Sequence, residues 1–108
     1  MTLRIKVMAN LSEIIGNERR MLMIIFLLEN DGNATVREIT NYIVEKNKKD
    51  GHKFRKSVYV SLKQTHIPML EREGFLRMER DRVIIENSKL FSDFVSLLQA
   101  FKPLFFEK

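Results

Sequence analysis

Apolar positions recur with a helical period along much of the chain and then alternate. The stretch "ERRMLMIIFLLEN", residues 18–30, is apolar almost all round, which predicts a helix at the centre of a core. Gly16 breaks the pattern before it. Asn17 is placed to cap this helix, and Glu18 falls in its first turn, where the dipole favours an acid. "NDGN", residues 30–33, reads as a stop and a turn. In "TVREITNYIVEKNKK" Thr35 is followed three residues later by Glu38, the pattern of a capping box. Val36, Ile39 and Ile43, with Tyr42 beside them, make one apolar face, so a helix is expected from about Val36 to Lys46. After the polar loop "KNKKDGHK" a third long helix is predicted from near Phe54 to "EREG", with Gly74 as its C-terminal cap. "FLRMERDRVIIEN" reads as two short strands around a turn at Arg80 to Arg82.

The two ends are patterned differently. Leu3, Ile5 and Val7 alternate as in a short strand, while Leu3, Val7, Leu11 and Ile14 fit a helix equally well. The chain closes with "SKLFSDFVSLLQAFKPLFFEK", read as a helix capped by Ser88 and interrupted near Pro103. The resulting order is helix, helix, helix, two-stranded ribbon, helix. The fold class expected is mainly α with a small β-hairpin wing: a winged helix-turn-helix with an additional C-terminal helix. One domain covers residues 1–108, with a winged-helix core at 11–86 and a C-terminal dimerisation helix at 88–107.

The third helix has two faces. At about 100° per residue, Val58, Leu62, Thr65 and Met69 share one side, with Phe54 at its edge, and are expected in the core. The opposite side holds Lys53, Lys56, Val60, Lys63 and Ile67, with Ser57 and Gln64 on its flank. Pro68 interrupts this helix. Proline has no backbone donor and clashes with the carbonyl four residues back, here that of Gln64, at roughly 3 kcal/mol inside a helix. The expectation is a break, with Phe54 to Ile67 facing outward and "PMLEREG" turned back against the core.

Composition narrows the chemistry. A length of 108 residues supports one core. With no cysteine, disulfides, thiolate metal sites and cysteine nucleophiles are excluded. The longest apolar run, "MLMIIFLL" at residues 21–28, is far below the roughly 18 residues of a membrane span. No signal peptide is evident, so a cytoplasmic protein is expected. His52 and His66 are the two histidines, and no acid cluster joins them at ligand spacing. His66 is expected packed or hydrogen-bonded beside Pro68 rather than on a metal. No nucleophile motif and no glycine-rich phosphate loop occurs among the 4 glycines. Neither an enzyme nor a cofactor is expected, and no small-molecule ligand is evident.

The formal charge is +5, and its distribution says more than its size. Lys46, Lys48, Lys49, Lys53, Arg55, Lys56 and Lys63 fall in one stretch with Asp50 as its only acid, a footprint suited to a polyanion. Lys53, Lys56 and Lys63 are candidate phosphate contacts. Ser57, Val60 and Gln64 are candidate base readers, since an amide can pair with adenine and a branched methyl can meet thymine. Arg80 and Arg82, at the ribbon's turn, are placed to reach a phosphate or the minor groove.

"NERRMLMIIFLLEND", "TVREITNYIVEK" and above all "VYVSLKQTHIPMLEREGFL" resemble a family of small archaeal winged helix-turn-helix domains, abundant in haloarchaea. Those domains carry a similar "ERR…L" start and a "VYVSLxQTHLPKL…G" stretch. The resemblance covers roughly Leu11 to Glu86 and is most specific at Val58 to Leu70. It implies a winged helix-turn-helix fold and a DNA-binding, transcription-regulatory role. Lys63 stands where an aromatic is common in that family, and Ile67 where leucine is usual.

The C-terminal segment holds five of the 8 phenylalanines. Leu90, Phe91, Phe94, Leu97, Leu98, Phe101 and Phe105 are expected to form a homodimer interface across a two-fold axis, or else to complete the monomer's own core. The function expected is sequence-specific binding of double-stranded DNA by a homodimeric transcriptional regulator. The alternative is a winged-helix protein-interaction module that binds no DNA.

Overall fold

A computed structural model describes residues 16–48 and 51–86, together with Asp93 and Ser96. The readings made for residues 1–15 lie outside the described residues. So does nearly all of the predicted C-terminal helix, including Leu90, Phe91, Phe94, Leu97, Leu98, Phe101 and Phe105.

Helix α1 spans Glu18–Glu29. The Asn17 side chain caps it by accepting from the Arg20 backbone at 3.1 Å, which satisfies one of the donors a helix start leaves unpaired. Met21, Leu22, Met23, Ile24 and Leu27 are buried, so α1 is the central helix its composition predicts. Its end is closed by the Gly32 N–H donating to the Leu27 carbonyl at 2.8 Å. Asp31 and Gly32 both adopt positive φ there, 59° and 81°, the left-handed region that such a stop uses.

Residues 33–35 are not merely a turn. Asn33–Thr35 forms strand β1, followed directly by α2 at Val36–Asn47. Thr35 is at once the last residue of β1 and the cap of α2. Its hydroxyl accepts from the Glu38 backbone while the Glu38 carboxylate accepts from the Thr35 backbone, completing the predicted capping box. Val36, Ile39, Thr40, Ile43 and Val44 turn inward.

The third helix is continuous through Pro68, against the expectation of a break. It comprises α3 (His52–Ser61), one π turn (Leu62–His66) and α4 (Ile67–Arg72). In the π turn the Ile67 N–H reaches back to the Leu62 carbonyl, one residue further than in an α-helix. Pro68 sits in the first turn of α4, where a missing donor costs least. The helix ends in a Schellman motif: Phe75 donates to Leu70 at 3.0 Å, Gly74 donates to Glu71 at 3.1 Å, and Gly74 takes φ 81°.

The extra residue in the π turn rotates everything after it by about a further 100°. This corrects two sequence expectations. Thr65, expected in the core, is exposed. Ile67, expected on the outer face, is buried at 3% exposure. Val58, Leu62, Met69 and Leu70 are buried with it.

Strands β2 (Leu76–Glu79) and β3 (Arg82–Ile85) form the predicted hairpin. β1 adds to its far side, giving an antiparallel sheet in the order β1-β3-β2. Ala34 pairs with Val83, and Met78 with Val83 from the other side. Phe75, Leu76 and Val83 press the sheet onto the same core as the three helical stretches. The described residues thus make a mainly helical fold with a small three-stranded sheet. Among them no helix is long and apolar enough to cross a membrane.

Candidate nucleic-acid interface

α3 lies with Val58 in the core and most of its other side chains outward. Between His52 and His66 there is no acid, while Lys53, Arg55, Lys56 and Lys63 are all exposed. Ser57 and Gln64 are exposed beside them, and Val60 is half-buried. The helix therefore brings Lys53, Lys56, Ser57, Lys63 and Gln64 together on accessible surface, with Val60 set deeper. Its own capping is weak: Gly51 precedes it without a side-chain hydrogen bond. Its hold on the fold comes instead from Val58, Leu62 and a clamp supplied by α1.

That clamp is built from Arg19 and Arg20. Arg19 donates to the Ser61 hydroxyl at 3.0 Å and lies 5.6 Å from the centre of the Phe54 ring. Arg20 donates through Nε to His66 Nδ1 at 3.1 Å. His66 is 4% exposed, and to accept at Nδ1 it must be neutral there. Burial is the main reason its pKa is lowered to about 4, and the charges of Arg20 and then Arg19 add to it. His66 is thus hydrogen-bonded structure beside Pro68, as the sequence predicts. Among the described residues no group of three potential ligands could hold a metal.

The hairpin presents its arginines unequally. Arg77 is paired with Glu79 and, at 2.6 Å, with Glu86. Those two acids raise its pKa, the hydrogen bond that Arg77 donates to Glu79 most of all, and neutralise its charge locally. Arg82 opens β3 and donates to the Asn33 side chain at 2.6 Å, so it is drawn across to β1. Arg80 occupies the turn itself, exposed, with φ 61°. The turn is fixed to the start of α2, since the Val36 N–H donates to the Asp81 carbonyl at 3.1 Å. Arg80 therefore stands near the N-terminal end of α2, on a braced turn.

Sequence reasoning missed one part of the surface. A cleft of about 640 Å³ opens between α2 and α3. Arg37 and Asn41, four residues apart on α2, line one side, and His52, Arg55, Lys56 and Tyr59 line the other. Thr40 lies at its base, buried, with its hydroxyl donating to the Val36 carbonyl. Arg55 is held by the Asn41 side-chain oxygen. The i, i+4 spacings of Arg37 with Asn41 and of Arg55 with Tyr59 were the available signal, but only the packing of the two helices makes them face one another.

No curated protein and no solved structure shows significant similarity to the chain. Residues 12–86 match a family model described as "Domain of unknown function (DUF7344)". The match spans well over half of the 108 residues, and the chain belongs to that family.

Proposed function

We propose that this protein is a winged helix-turn-helix regulator of transcription that binds double-stranded DNA, with α3 in the major groove and the β2–β3 turn on the backbone or in the minor groove. The observation that carries this reading is the acid-free outer surface of α3 and the π turn that continues it, with Lys53, Lys56, Ser57, Lys63 and Gln64 exposed on a helix whose other side is packed in the core. The element order and the sheet order β1-β3-β2 support it, as does the resemblance of Val58 to Leu70 to archaeal winged-helix domains. In this arrangement the lysines hold phosphates, Gln64 and Ser57 read base edges, and Val60 offers a methyl group from its more recessed position. Arg80 supplies the contact at the hairpin turn, and Arg82 braces the sheet behind it.

The protein acts as a homodimer in this reading, joined through the segment 88–107. Its support is the concentration of five phenylalanines there. Two copies of α3 about 34 Å apart would meet successive major grooves. Sedimentation of the chain tests this part, and a monomer at micromolar concentration would remove it.

The decisive experiment is titration of duplex DNA at several salt concentrations. About four phosphate contacts per protomer give a log–log slope of about −0.9 for each contact. Lys56→Ala and Lys63→Ala should each reduce that slope by about one. Duplex binding that neither substitution weakens would sink the assignment of α3. Absence of any salt-sensitive binding would favour the protein-interaction alternative.

A further inference from the structure

The cleft between α2 and α3 has a composition that duplex binding does not require. Tyr59 stands at it as the one large hydrophobic side chain that is exposed among the described residues, at 41%. That ring is left more open to water than any other large apolar side chain among the described residues. Arg37, Arg55 and Lys56 converge on the same cleft, and none of the described residues lining it is acidic. The bond from Arg55 to Asn41 fixes one guanidinium in place, so less side-chain freedom is lost when a ligand arrives. Lys63 stands 5.9 Å from the centre of the Tyr59 ring and adds a further cation at the rim.

An aromatic face beside clustered cations is the combination that single-stranded nucleic acid uses, with bases stacked on the ring and the backbone tracked by positive charge. In an intact duplex each base face is already covered by its neighbours, so Tyr59 has nothing to stack on there. The cleft volume of about 640 Å³ falls in the range of roughly 300–1,000 Å³ typical of small-ligand sites. We propose that the cleft takes one unpaired nucleotide, its phosphate held by Arg37, Arg55 and Lys56 and its base stacked on Tyr59. The nucleotide is either free in solution or part of a strand whose pairing has opened. This goes beyond the duplex reading, which uses the outer surface of α3.

The test uses the full chain and four probes: fluorescein-labelled oligothymidylate, a labelled duplex, AMP and inorganic phosphate. Oligothymidylate should bind, and Tyr59→Ala should weaken it about tenfold or more, while Tyr59→Phe retains binding and the duplex affinity of Tyr59→Ala is unchanged. Displacement of oligothymidylate by AMP would assign the site to free nucleotides as well. Failure of AMP to displace it would confine the site to an opened strand. Wild-type binding by Tyr59→Ala, competition by phosphate as effective as that by AMP, or no binding of either oligothymidylate or AMP would overturn the proposal. Duplex binding is scored separately with Lys53→Ala, whose side chain lies off the cleft. The duplex reading can therefore fail while the Tyr59-dependent site stands, and the reverse.

Discussion

The third helix treats its two ends in opposite ways. In His52–Ser61 only Val58 is buried, and the lysines and Arg55 face water. From the last residue of the π turn onward, His66, Ile67, Met69 and Leu70 are all buried and Pro68 is half-buried. One end carries like charges that repel one another and gain little from the fold. The other end supplies the packing that holds the helix in place. A helix meant to present cations can bear their mutual repulsion only if its remainder is anchored, and here the anchor comes from α4 together with the Arg20–His66 contact. The dividing line is a single extra residue in one turn. It brings Ile67 onto the core, which the plain α period would have carried away.

The sharpest way to break this contrast is to remove one side chain from each end. Leu70 is fully buried, and Leu70→Ala should lower unfolding free energy by about 2–5 kcal/mol through lost burial and the cavity left behind. Lys56→Ala should change it by no more than about 0.5 kcal/mol while weakening the proposed DNA contact. Urea denaturation of both variants, followed by circular dichroism, measures the difference. Equal effects would mean that the two ends share the load and that the division at the π turn is only geometric.

Next in size is the pH dependence of the anchored end. His66 has a folded pKa of about 4, below the ordinary value of about 6.5. The unfolded chain therefore takes up a proton between about pH 6.5 and 4 that the folded chain refuses, and stability falls as pH falls through that window. It is fully present above about 6.5 and levels off below about 4. The loss should be on the order of 2 kcal/mol. His66→Gln retains a neutral acceptor for Arg20 and should flatten that part of the profile, leaving only the carboxylate contribution. Denaturation midpoints at pH 4.5 and pH 7 for both chains decide it. A wild-type profile no steeper than that of His66→Gln would show that the Arg20–His66 contact is not what holds this end.

How much of this was legible in the sequence depends on how local each cause is. The caps at Asn17, Thr35 with Glu38, and Gly74 were legible because each bond joins residues a few positions apart in the chain. The outward lysines of α3 were legible for the same reason, since the period before the π turn is regular. Strand β1 was not. Of its three residues only Ala34 is buried, and the strand exists because β3, some fifty residues later, offers it a partner. The α2–α3 cleft was hidden in the same way, because Arg37 and Tyr59 meet only through the packing of two helices. The π turn left a trace that a fixed period overlooks. The buried apolar positions run Val58, Leu62, Ile67, Met69 and Leu70, so the first apolar position after Leu62 comes five residues on, just before a proline, in place of the usual three or four.

Two causes of that step of five can be separated: either the core imposes the π turn or Pro68 forces it. Packing should be the stronger. Rewinding the segment as a regular α-helix would turn Ile67 outward and shift His66 in its packing, and exposing a buried Ile alone costs about 1.5–3 kcal/mol. Removing proline where the backbone already suits it costs at most about 1 kcal/mol, mainly by loosening the unfolded chain. Pro68→Ala should therefore leave the π turn in place, with stability within about 1 kcal/mol of wild type. The His66 pKa should stay near 4, as read from its ring resonances by NMR titration. A His66 pKa returning toward 6.5 in Pro68→Ala, with Thr65 becoming protected from exchange, would mean that the proline, and not the core, sets the register of the anchored end.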